Sequence, residues 1–290
     1  MRGSWKVGVV LVASAFSLAS AQPVAPPVAA STPEPTPDPA PDPAPDPAPI
    51  EPTTPRSVYE VHLWIDVPIT LAGAAAGLLR TYLGNHIVDQ RCPCNVDEVN
   101  SFDRHLIGNH SDAAGHVSDV TVGLALGVPP ILDLIIVGPN RVFGEDLVVA
   151  TETVMVSTLF QQVANFGFQR PRPRTYVGDP SAITTGEGYL SFVAGHVATT
   201  TAVLAAASFT IRKRYGERVW PWVVTGLVSA SVATERMLGG YHFPSDIALG
   251  GALGLGVGLA VPWLHARHPD VHVAIAPTPG GYDLSLLGQF

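Results

Sequence analysis

The residues best suited to chemistry fall in three short runs between positions 170 and 246. They are Arg170-Pro-Arg172-Pro in FGFQRPRPRTY, Gly195-His196 in SFVAGHVATT, and Arg236-Met-Leu-Gly-Gly-Tyr-His242-Phe-Pro-Ser-Asp246. Together they offer arginines for an anion, a histidine able to give a proton, and a second histidine with an aspartate four residues on. Guanidinium groups bind phosphate oxygens bidentately and stay charged at any working pH. An imidazole whose tautomer is fixed by a carboxylate becomes a nucleophile. That set suffices to move a phosphoryl group without a metal. Each run alone also has a plainer reading: Arg170 and Arg172 as a basic loop, His196 as a histidine at a helix start, and Asp246 as a helix cap beside a polar His242.

These runs need a scaffold. Six apolar segments supply it: Val67–Leu83, Val120–Val137, Leu147–Phe160, Val197–Ile211, Val219–Ala233 and Ile247–Leu264. Most are longer than a strand and show no period-two alternation, so the spacing predicts helices and an all-α, six-helix bundle. Pro129-Pro130 should kink or break the second. Gly195-His196 then opens the fourth helix, where free N–H groups and the positive dipole end suit phosphate oxygens. Gly195 lets backbone approach a ligand closely. His242 and Asp246 fall at the start of the sixth, with Pro244 in its first turn. The segments fit both membrane spans and a buried soluble core; their all-round apolarity and small residues favour the membrane. The tail VHVAIAPTPGGYDLSLLGQF changes to alternation across a Pro-Gly-Gly turn, so residues 271–290 read as a small C-terminal β-hairpin.

The chain's beginning carries other information. Residues 1–21 have a basic start at Arg2 and Lys6, an apolar run and Ala19-Ser20-Ala21, the pattern of an export signal. Residues 22–55, with the repeat PDPAPDPAPDPAP, form an extended Pro/Ala/Asp-rich tether. Residues 56–290 are then one helical domain. Part of the net charge of −8 comes from Glu34, Asp38, Asp42, Asp46 and Glu51 in the tether. No basic stripe marks a nucleic-acid surface, and no nucleic-acid partner is expected. For Cys92 and Cys94, a disulfide and two free thiols both fit an exported protein. Nearby His105, His110, His116, Asp103 and Asp112 match no zinc spacing, so no metal site is assigned.

The ordered trio resembles the type 2 phosphatidic acid phosphatase and vanadium haloperoxidase superfamily. The family pattern is a Lys, six residues and Arg-Pro; then Pro-Ser-Gly-His; then Ser-Arg, five residues, His, three residues, Asp. Here Arg172-Pro173, Gly195-His196 and Arg236, His242 and Asp246 match. The resemblance implies a six-helix fold and a phosphoric ester hydrolase that needs no cofactor. It assigns His242 as nucleophile, Asp246 as its orienting carboxylate and His196 as proton donor, with Arg172, Arg236 and Gly195 binding phosphate. It also implies a phosphorylated substrate, a lipid phosphate or isoprenyl diphosphate if the helices lie in a membrane and a small phosphoester if they are soluble. The export signal and apolar segments lead us to expect the periplasmic face of the cell envelope, with a membrane as partner. Three positions depart from the pattern: Asn165 stands for the Lys, Val193-Ala194 for Pro-Ser, and Glu235 for the Ser before the Arg. Arg170 is expected to replace the missing lysine charge, and Glu235 to bring a negative charge near the anion. An inactive envelope protein on the same scaffold is the alternative reading, and a vanadium-dependent haloperoxidase a lesser one.

Overall fold

The computed structural model describes residues 55–267, 272–278 and 281–287. The expected export signal and nearly all of the expected tether lie outside the described residues, as does the tip of the Pro-Gly-Gly turn. The helices are α1 (Leu63–Ile87), α2 (Ser101–Arg104), α3 (Asp112–Val137), α4 (Arg141–Phe168), α5 (Pro180–Ile183), α6 (Gly195–Tyr215), α7 (Trp220–Leu238) and α8 (Pro244–His265). Each of the six apolar segments lies mostly within one of the long helices, while α2 and α5 are single turns. Two strands follow, β1 (His272–Thr278) and β2 (Gly281–Leu287), paired antiparallel with Thr278 opposite Gly281.

Local chemistry sets the helix ends. Ser111 accepts from the Ala114 N–H at the start of α3, and Asn140 accepts from Val142 and Phe143 at the start of α4. The start of α6 differs: Ala194 is the capping residue, and no side chain satisfies the first N–H groups. The expected break at Pro129-Pro130 is not seen, since α3 runs unbroken through both. The helical turns on either side carry α3 across the lost hydrogen bonds, and α3 as a whole packs on α6 and α7.

The packing of α6 on α8 matters most for the site. Gly250, Gly254 and Gly258 lie against the backbone oxygens of Ala194, Ala198 and Ala202, where an added Cβ would collide. Glycine at four-residue spacing therefore brings the two helices into backbone contact. Among the described residues, four helical segments are long and apolar enough to cross a membrane: α1, α3, α4 with its continuation to Val177, and α8. Leu71 and Leu78 on α1 and Val120, Leu124, Ile131 and Ile135 on α3 are exposed. Apolar outer faces of this kind are what lipid would cover.

Candidate active site

A cavity of about 430 Å³ collects Arg172 from the loop after α4, Gly195 and His196 from the start of α6, Arg236 from the end of α7 and His242 from the α7–α8 turn. The three runs thus meet in space. Gly240, at φ 67°, makes the turn that folds His242 back toward Arg236, and its α-carbon lies against the Asn109 carbonyl. Gly195 lies so close to the Gln161 side chain that any larger residue would displace it.

His242 is buried, and its Nδ1 donates to the Ser191 carbonyl at 2.7 Å. A carbonyl can only accept, so Nδ1 carries the proton and Nε2 keeps its lone pair. Burial, then the charges of Arg236 and Arg172, push this imidazole well below its ordinary 6.5, against the opposing Ser191 bond. It is therefore neutral in the free protein at neutral pH.

The expected direct pairing of Asp246 with His242 is not what the structure shows. Asp246 Oδ2 accepts from the Ser191 hydroxyl at 2.5 Å and the Phe243 N–H at 3.0 Å. Its Oδ1 accepts from Arg170 at 2.6 Å. At the third position of α8 the carboxylate turns back to the free N–H at the helix start, which is the capping geometry. It reaches His242 through Ser191, whose hydroxyl it holds and whose carbonyl holds the imidazole.

Arg170 also lies away from its expected place. It does not line the cavity with His242 but lies between Asp103 at 2.8 Å and Asp246, over the Phe243 ring at 4.2 Å. Two buried carboxylates attract it more than an open anion site does, so it is a structural ion pair. The cation added to the cavity is Arg80, from α1. Glu235 accepts from Ser231 Oγ at 2.8 Å and does not line the cavity either, so the expected charge beside the anion is not there. Asn165 is fully buried and donates to the Gln161 carbonyl at 3.0 Å.

Several groups in the cavity are invisible to motif reading. Asp119, from α3, accepts from His196 Nε2 at 2.9 Å, so it is His196 that has a carboxylate partner. Burial and then Arg236 push the His196 imidazole below its ordinary 6.5, with Asp119 opposing. Arg236 also donates to Ser118 Oγ at 3.1 Å, and its guanidinium stacks on Tyr241 at 3.8 Å. Glu187 accepts from Arg80 Nε at 2.7 Å and from Arg172 at 2.9 Å. Burial raises its carboxyl, but the Arg80 hydrogen bond and the two arginine charges outweigh that and hold it at about 2. Arg80 had a signal, being the lone charge in the apolar run Val67–Leu83. Glu187 had none.

Glu187 is an anion already seated on two arginines, so it competes with any phosphate that enters. In Glu187→Gln, inhibition by inorganic phosphate is expected to strengthen about tenfold through loss of like-charge repulsion. Unchanged or weaker inhibition would show that Glu187 only positions the arginines.

Cys92 and Cys94 are joined in a disulfide. Cys94 lines a second cavity of about 630 Å³, which holds Arg170 and Asp103.

No curated protein sequence matches the chain. Among solved structures it is similar to a transmembrane PAP2 type phosphatidylglycerolphosphate phosphatase from Bacillus subtilis, at 14% identity and a TM-score of 0.42, covering 69% of this chain and 96% of that one. Residues 146–270, which contain Arg172, His196, Arg236, His242 and Asp246, match the family model of the PAP2 superfamily, the family that the three motifs resemble.

Proposed function

We propose that this chain is a membrane-associated phosphatase that acts through a phosphohistidine on a lipid phosphate or isoprenyl diphosphate. One observation carries the reading. A neutral imidazole with Nδ1 tied down lines the same cavity as three arginines and a second histidine. His242 Nε2 attacks phosphorus in line with the leaving oxygen. As the P–O bond breaks, His196 gives that oxygen a proton. Arg172, Arg236 and Arg80 hold the remaining oxygens, where charge must be stabilised. Water next attacks the phosphohistidine, His196 takes its proton, and phosphate leaves.

Arg80 supplies on α1 the charge that Asn165 does not supply on α4, which favours an active enzyme over an inactive relative. Asp246 is a positioning residue, acting through Ser191. The apolar outer faces of α1 and α3 support a lipid substrate. The signal pattern in residues 1–21 supports export to the periplasmic face, with residues 22–55 as tether.

The test is phosphate release from lipid and soluble phosphoesters in detergent, with EDTA present. Release in EDTA, preferring lipid phosphates, is expected. Well-folded protein that releases none would overturn the reading in favour of the non-catalytic one.

The pH dependence follows from the two histidines. His196 must be protonated to act as donor, and its lowered pKa leaves it neutral in the free protein near pH 7. Protonation of His196 therefore grows as pH falls, while His242, itself held low by burial, is neutral near pH 7. The optimum of kcat/KM is expected on the acid side of 6.5. An optimum at or above pH 7 would contradict these assignments.

A further inference from the structure

Away from the active site lies a second cluster that the phosphatase chemistry does not use. Asp66 in the first turn of α1, Glu152 on α4 and His265 at the end of α8 turn ligand atoms toward one another, all within 4.8 Å. His265 ends a helix of 22 residues that starts beside His242, a separation of about 33 Å along its axis. Asp66 and Glu152 are only 3% and 4% exposed.

Glu152 Oε2 has no hydrogen-bond partner, although it is buried and 3.3 Å from His265 Nε2. Asp66 Oδ1 is 3.4 Å from the same nitrogen. Ligand atoms held 2.0–2.2 Å from a tetrahedral zinc lie about 3.4 Å apart, close to the distances of His265 Nε2 from each carboxylate. His265 Nδ1 donates to the Val261 carbonyl at 2.9 Å, so Nε2 is the ring nitrogen that faces the cluster. The other oxygen of Asp66 accepts from the His62 N–H at 2.7 Å. An imidazole tied to a carbonyl through its far nitrogen, and a carboxylate steadied through its far oxygen, is how metal ligands are oriented.

We infer that Asp66, Glu152 and His265 bind a divalent transition ion of the zinc or manganese class. One imidazole and two carboxylates form a mixed nitrogen and oxygen set suited to those ions. The ion's positive charge offsets two buried carboxylates in helices that can cross a membrane, where unpaired charge is costly. Bound there, it ties α1, α4 and α8 together at the end opposite the cavity.

The experiment uses the full-length chain purified in detergent through a tag without histidines. Metal content is measured, and thermal unfolding is followed with Zn²⁺, with Mn²⁺ and with EDTA, for wild type, Glu152→Gln and Asp66→Asn. Wild type is expected to hold about one ion per chain. Its Tm should rise by about 5–10 °C at a metal concentration a hundredfold above Kd, and fall back in EDTA. Both variants should lose the ion and the shift. A wild type with no ion and no shift would leave only an ion-pair cluster and overturn the inference. Equal binding by wild type and variants would put the ion elsewhere and overturn it too. The wild-type measurements decide the matter even if a variant fails to fold.

Discussion

Replacing His242 with Ala is expected to lower phosphate release by at least about 10⁴-fold, because the reaction loses the atom that bonds to phosphorus. Its Nδ1 is tied to Ser191, and no other imidazole in the cavity has a proton fixed in this way by a carbonyl. A labelled phosphoenzyme, stable to base and labile to acid, should form in wild type and be absent from the variant. His196→Ala should behave differently. Alkyl phosphates should slow by about 10²–10⁴-fold, the usual contribution of a general acid. An aryl ester whose leaving group departs unprotonated should recover much of that loss in the same variant. Equal losses on both esters would remove His196 from the role of proton donor. Phosphate release that persists in His242→Ala would mean that another residue is the nucleophile.

The second large effect concerns stability. Arg170→Ala leaves Asp103 and Asp246, both fully buried, without their shared cation. Removing one partner of a buried ion pair costs about 3–5 kcal/mol. For a domain of this size that is a fall in Tm of about 10 °C. Burial raises the Asp103 carboxyl, but hydrogen bonds from Arg170, Ser245 and Asn100 outweigh it and hold the group below its ordinary value. A group whose folded-state pKa is depressed contributes stability above its unfolded value of 3.8, and that contribution is lost as pH falls through the folded value. The wild type and Arg170→Ala should therefore converge in stability toward strong acid. If Arg170→Ala instead kept full stability and lost only phosphate affinity, Arg170 would be a ligand-binding residue after all. Thermal unfolding and phosphate inhibition, measured on the same preparation, separate the two.

The sequence made the three runs visible because each is local. The residues from Arg236 to Asp246 span one turn and one helix start, and Gly195-His196 is a helix start in itself. What the runs do to one another was not visible, because it depends on where side chains turn. Asp246 lies four residues after His242, yet the helix start draws its carboxylate toward Phe243 and Arg170 draws it away from the imidazole. Arg170 and Arg172 are two residues apart and alike in their proline neighbours, yet they line different cavities. Arg80, Asp119 and Ser191 enter from α1, α3 and the loop before α6. Only tertiary packing brings such distant positions together. The helices themselves were legible from their long apolar runs, whereas the run-through of α3 at Pro129-Pro130 was not, since neighbouring turns outvote a local breaker.

The glycine seam between α6 and α8 has a mechanical consequence for the histidine pair. His196 rides on the first turn of one helix and His242 sits just ahead of the first turn of the other. With main chain resting on main chain at Gly250, Gly254 and Gly258, no long side chain lies between them to flex. The gap between nucleophile and proton donor is thus gauged by backbone thickness, a dimension that does not vary with rotamer. A single methyl group inserted far down the seam would act as a shim, prising the helices apart and widening the gap across which the proton must pass.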